Sequence, residues 1–195
     1  VTVIDFAPQI LPNILDPEMA AYAKKHLINA GIRGITGTSA QEILGTDKVT
    51  GVRTSAGTLP CEMLIMAAGI RPNTDFLKDT GIEMFKGTIL VDNTMKTSLD
   101  DVYAAGDCVM VTNRITGARQ WSPMGSSANM EGRTLAQILT GSAKTYPGVL
   151  GTGVVKLPGL NIGRTGHTQA QAKEAGYDVV TVLAPPADKA HYYPA

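Results

Sequence analysis

The chain has 195 residues, 44% hydrophobic and 17% charged, enough apolar material for one large domain or two small ones. Lys plus Arg and Asp plus Glu number 17 each, so the formal net charge is zero and the clustered positive charge that nucleic acid or an anionic membrane requires is missing. No apolar run approaches the roughly 20 residues that cross a bilayer, and Cys61 and Cys108 form no CxxC pair, which predicts two structural thiols in a reducing cytoplasm.

"VTVIDF" opens the chain as an apolar strand, and "LDPEMAAYAKKHLINAG" follows as a helix. Asp16 stands at the N-cap, Pro17 at the first helical position and Gly31 just past the end, and Met19, Ala23, Leu27 and Ala30 share one face. His26 reads as a solvated residue of that helix. Strand then helix is half of a βαβ unit. Short strands are expected around Ile35, then at "AQEIL", "VTGVRT" and "TLPCEMLIMAAG", and the turn clusters "GTDK" and "SAG" between them suggest a small antiparallel meander. "MLIMAA" is apolar on both faces, as a strand buried in a parallel sheet would be.

Beyond the break at "GIRPN", "GTILVD" and "VYAAGD" are two more strand candidates. A helix is predicted from Ser126 to Leu139, with Ala128, Leu135 and Leu139 apolar and Gly141 as its stop. "TYPGVLGTG" reads as a boundary. "GVVKL" and "LNIGRTG" alternate like an antiparallel pair, Thr168 and Gln171 form a capping box for "QAQAKEAG", and "YDVVTVL" is a last strand candidate. His167 reads as a loop residue, and Trp121 falls in a surface connection.

Two acids follow apolar runs, Asp5 after "VTVI" and Asp107 after "VYAAG". An acid in such a place is commonly a turn residue. In a dinucleotide-binding fold the acid ending the second strand instead bonds the adenosine ribose, about 20 residues after a glycine-rich loop. No G-x-G-x-x-G occurs in this sequence. Either Asp5 is an ordinary strand-end acid or the chain begins inside a domain; a strand starting at residue 1 favours the second. An acid followed by Phe6, with no basic neighbour, favours NADH over NADPH.

Four segments in order, "VTVIDFAPQILPNILDPEMAAYAKKHLINAGI", "MLIMAAGIRPNTDFL", "GTILVDNTMKTSLDDVYAAGDC" and "ANMEGRTLAQILTG", resemble the FAD- and NAD-linked pyridine nucleotide–disulfide oxidoreductases. The stretch from Thr97 to Asp107 is the most specific of these. The resemblance implies an α/β fold: partial Rossmann-like FAD/NAD-binding domains followed by the start of an α+β interface (dimerisation) domain. Residues 1–72 would complete the NAD-binding domain, 73–146 return to the FAD-binding domain, and 147–195 begin the interface domain.

It further implies that Asp107 bonds the ribityl chain of FAD, that Gly106 lets the backbone approach the cofactor, and that Ser126 and Ser127 begin a helix facing the flavin. Asp5 and Gly69 would belong to the NAD side; Arg71 reads as a local hydrogen-bonding residue. "AHYYP" resembles the branch of CoA-disulfide reductases and NADH oxidases, where His191, Tyr192 and Tyr193 would reach toward a partner subunit's active site or pack a homodimer interface.

The implied activity is transfer of hydride from NADH through FAD to a small-molecule disulfide of the CoA-disulfide kind or to oxygen. Alternatives within the family are an NADH oxidase or peroxidase and the flavin subunit of nitrite reductase. From another class, a non-catalytic fragment would keep only structural and dimerisation surfaces. The redox cysteine is expected before Val1, so this chain by itself is expected to be inactive.

Overall fold

The computed structural model describes residues 1–184. His191, Tyr192 and Tyr193 lie outside the described residues. Strand β1 (Thr2–Ile4), helix α1 (Pro17–Asn29) and strand β2 (Arg33–Ile35) form one βαβ unit, with β1 and β2 parallel and Thr2 opposite Arg33. Pro17 starts the helix with its φ already set, and Gly31, at φ +77°, lets the chain turn off the end.

Helix α1 buries Ala20 and Ala23, while Met19 and Ala30 of the expected stripe are exposed. The two alanines bring the helix backbone close to Ile10, Leu15 and Ile162 in a second, smaller core. His26, expected in solvent, lies half-buried over the turn at Gly159. Asp16 does not cap its own helix; its carboxylate accepts the Gln169 N–H at 2.8 Å, tying the helix to a distant segment.

The meander forms as expected from β3 (Ala40–Leu44), β4 (Gly51–Thr54) and β5 (Gly57–Pro60). "MLIMAA" does not become a strand. Met63, Ile65 and Met66 are exposed, and among the described residues no neighbouring edge takes their backbone groups. Apolar character on both faces creates a demand for cover, but a strand exists only where another strand completes its ladder.

The principal core lies under a four-stranded sheet: β6 (Met84–Phe85), β7 (Thr88–Leu90), β8 (Val109–Thr112) and β9 (Arg119–Trp121), in that spatial order. β7 and β8 run parallel and the outer pairs antiparallel. Ile89, Val91, Met95, Val109 and Val111 form this core with Tyr146 and Val149. "VYAAGD" makes only a bridge, Tyr103 to Lys96, and the strand begins after the acid. Three consecutive buried residues, Val109, Met110 and Val111, supply the apolar ladder that half-buried Tyr103–Ala105 cannot.

Helix α2 (Gly125–Leu139) follows β9. Leu139 is exposed, and the residue buried on this helix is Glu131. The segment "TYPGVLGTG" is held against the sheet: Tyr146 N–H donates to Asn93 C=O at 2.7 Å and Val149 N–H to Thr112 C=O at 2.9 Å. Strands β10 (Gly153–Leu157) and β11 (Leu160–Arg164) pair antiparallel, and α3 (Gln169–Glu174) begins with the Thr168–Gln171 capping box, both as expected. "YDVVTVL" forms no strand; Val180 and Val182 are exposed, without a paired edge among the described residues.

Candidate functional site

Gly106 and Asp107 form the turn into β8. Gly106 sits at φ +100°, a conformation that L side chains rarely adopt, and a Cβ placed there would meet nothing within 4 Å. The backbone therefore faces open space. Its N–H donates to Glu131 Oε2 at 2.8 Å and its C=O accepts from Val109 N–H at 3.1 Å. The Asp107 C=O accepts the Trp121 indole N–H at 2.7 Å, while its side chain is exposed. Trp121, expected in a surface connection, thus ends β9 and ties the strand before α2 to the acid.

Asp107 precedes β8 instead of ending a strand. The rule that ligands gather at the carboxyl ends of strands therefore does not place it. What does is the tie from its turn to helix α2 through Glu131. Helix α2 starts after Met124 with no side-chain cap, so the first-turn N–H groups at Gly125, Ser126 and Ser127 have no intrahelical partner. Ser126 is exposed; Ser127 is half-buried, its hydroxyl 3.4 Å from that of Ser122. A cavity of ≈190 Å³ lined by Ser122, Ser126, Ser127 and Tyr146 opens beside this start.

Behind the turn lies the residue that sequence reasoning missed. Glu131 is 2% exposed, and burial pushes its carboxyl above the usual range. The Gly106 N–H opposes that shift by bonding the ionised form, and the nearby Tyr146 hydroxyl works the same way; the charge of Asp107 adds to it. Tyr146 is raised by burial and by the Glu131 charge, with the nearby Ser127 hydroxyl working the other way. Glu131 stands between Ala128 and Leu135 at helical spacing, so an acid on the apolar stripe was the available signal.

The expected NAD-side residues are not gathered in the same way. The Asp5 carboxylate accepts Ala7 N–H at 2.9 Å, an Asx turn, and its C=O accepts from Thr38 N–H at 3.0 Å. Gly69 is exposed at φ +97°, again with open space where a Cβ would stand. No hydrogen bond among the described residues joins it to Asp5. Arg71 is exposed, with its charge near Asp75.

Both cysteines are free and half-buried. Burial pushes the Cys108 thiol up, as do the charges of Glu131 and Asp107, and its S–H points to the Ala105 C=O at 3.7 Å. That is the environment of a structural thiol, not of a reactive thiolate. Among the described residues no cluster of three or more His, Cys, Asp or Glu could hold a metal, and no helix is long and apolar enough to cross a membrane.

Comparison with known proteins points one way. The profile of the pyridine nucleotide-disulphide oxidoreductase family matches residues 1–128. An NADH oxidase of Methanocaldococcus jannaschii is 38% identical over the whole chain, which covers 43% of that protein. A Pyrococcus horikoshii NAD(P)H coenzyme A polysulfide/persulfide reductase is 36% identical, with 44% of its length covered. The structure of an NAD-dependent persulfide reductase from A. fulgidus superposes with a TM-score of 0.93 at 37% identity, over all of this chain and 36% of that one. The chain thus spans less than half the length of these relatives, and its α/β architecture is the partial Rossmann-like arrangement expected from the sequence.

Proposed function

The chain belongs to the pyridine nucleotide-disulphide oxidoreductase family, and from that premise we propose that it is part of a flavoprotein moving hydride from NADH through FAD to a disulfide of the CoA-disulfide kind or to oxygen. The observation that carries this reading is Asp107: an exposed carboxylate on an open glycine turn that Glu131 ties to α2, a helix whose first-turn N–H groups are free. These residues fit FAD. Asp107 is acceptor-only when ionised and would take hydrogen bonds from ribityl hydroxyls. Gly106 would admit close approach of the cofactor.

The first turn of α2, with Ser126 and Ser127, would face the flavin and stabilise negative charge on it through its N–H groups and dipole. When bound, FAD supplies the two-electron chemistry. Asp5 and Gly69 would serve the NADH side, Asp5 keeping one carboxylate oxygen outside its Asx turn for a ribose hydroxyl. Neither Cys108, with its raised thiol, nor Cys61 is assigned the redox role.

We retain the division into an NAD-binding part (1–72), an FAD-binding part (73–146) and an interface part (147–195), with Val149 of the third packed into the core of the second. The two free thiols support a reducing, cytoplasmic setting, and His191, Tyr192 and Tyr193 are the proposed contribution to a homodimer's active sites. Asp107→Ala in the intact protein tests the reading. Its flavin content, read from visible absorption after purification, is expected to fall well below wild type; unchanged flavin would sink the ribityl role.

A further inference from the structure

We infer that Glu131 is a positioning residue, holding the Gly106–Asp107 turn in the orientation that presents Asp107 to the cofactor; the inference rests on the FAD reading above. A glutamate 2% exposed is rare without a partner. None of the ion pairs among the described residues involves Glu131. Its hydrogen-bond partner is the Gly106 N–H, and the Tyr146 hydroxyl stands close enough to favour its ionised form. A leucine would fill the same place on the stripe between Ala128 and Leu135 at lower desolvation cost, but could not hold the Gly106 N–H.

The turn is fixed from three directions. Glu131 holds the peptide entering Gly106, Val109 holds the one leaving it, and Trp121 holds the Asp107 carbonyl. No hydrogen bond among the described residues takes the Asp107 carboxylate. Left-handed backbone at Gly106 has access to many conformations, so the anchors decide which way the acid points. Among the described residues Glu131 makes the hydrogen bond that reaches the turn from α2, and Tyr146, whose hydroxyl adjoins Glu131, lines one cavity with Ser127 of the first turn of that helix. Acid turn and helix α2 are thereby joined by one buried side chain. The ionisable groups facing Glu131 are Asp107 and Cys108 before and at the turn into β8, and Tyr146 from the segment before β10.

The test uses the intact flavoprotein and reads the FAD dissociation constant of the reconstituted apoprotein, together with the apoprotein melting temperature. Glu131→Gln keeps an oxygen for the Gly106 N–H, and its FAD affinity is expected within about threefold of wild type. Glu131→Asp keeps the charge but is one methylene short, and a lost hydrogen bond of about 1.4 kcal/mol predicts about tenfold weaker binding. Equal affinity in Glu131→Asp and wild type, or equal loss in Gln and Asp variants, overturns the inference. Should Glu131→Asp fail to fold, Glu131→Leu decides, since it fills the same place with no acceptor for the Gly106 N–H; about tenfold weaker FAD binding is expected and no change refutes the inference. Asp107→Ala is the control. If it too binds FAD normally, the FAD reading itself fails; if it alone loses FAD, only the role of Glu131 falls.

Discussion

Replacing Glu131 by Gln should make the protein more stable relative to wild type as pH rises. Burial raises the carboxyl above its ordinary 4.5, with like charge from Asp107 adding and the Gly106 bond and the nearby Tyr146 hydroxyl opposing. A raised acid favours the folded state fully below the unfolded value, and that contribution is lost as pH climbs through the folded value. Glutamine carries no such term. One charge-assisted bond, from the Gly106 N–H, of about 1.5–3 kcal/mol offsets only part of a desolvation cost of several kcal/mol. The residual penalty on the ionised form is then about 1–2 kcal/mol. The Gln-minus-wild-type difference should be near zero at pH 4.5 and grow to that level toward neutrality. Scanning calorimetry of both apoproteins from acid to neutral pH reads it as about 2–4 °C per kcal/mol. A melting-temperature gap that stays constant or narrows with rising pH would refute the argument that burial dominates at Glu131.

Two further outcomes follow from the same geometry. Gly148→Ala should be severely destabilising, by about 3 kcal/mol or more, because φ is +85° and a Cβ would lie 2.2 Å from the Thr112 carbonyl oxygen; soluble yield and urea midpoint check it, and a midpoint near wild type contradicts it. Asp92→Ala should cost about 1 kcal/mol, since one carboxylate oxygen accepts from Thr94 N–H, Thr94 Oγ1 and Lys96 N–H. Burial works to raise the Asp92 carboxyl, but these bonds and the Lys96 charge hold it below 3.8. Its stabilising contribution is therefore present above that pH and lost as pH falls through the lowered value; a wild-type acid limb no steeper than the variant's would argue against it.

Elements defined by local chemistry were legible in the sequence. Pro17 and Gly31 bracket α1, the Thr168–Gln171 box starts α3, and alternation finds the β10–β11 pair, because each signal acts within a few residues. "MLIMAA" and "YDVVTVL" were misread for one reason. Hydropathy reports what a segment needs to cover, whereas a strand depends on an edge supplied from elsewhere in space. Similarly, "VYAAG" looked like a strand, but its Ala104 N–H bonds the Met95 carbonyl in a tight local structure instead of a ladder.

At the site, Gly106 and Asp107 could be singled out because a glycine before an acid has a physical meaning on its own. Trp121 could not, since its partner lies 14 residues away; Glu131 showed only as an acid on an apolar stripe, its partner lying 25 residues away.

Helix α2 shows how that distance hides function. A helix that packs by apolar burial would turn Leu135 and Leu139 inward, yet Leu139 is exposed and the buried position is an acid. Packing alone gives no reason for this, because an ionised carboxylate is the costliest group to bury. The cost is offset only where its bonds are made, and one of them ends on the backbone that carries Asp107. Charge placed on the inner face therefore ties the helix to a turn that would otherwise be a glycine hinge. The acid that faces solvent and the acid that is hidden belong to one arrangement: the second limits the conformations of the first. On that view α2 contributes more than its dipole, because the position of its first turn relative to Asp107 is fixed from inside the fold.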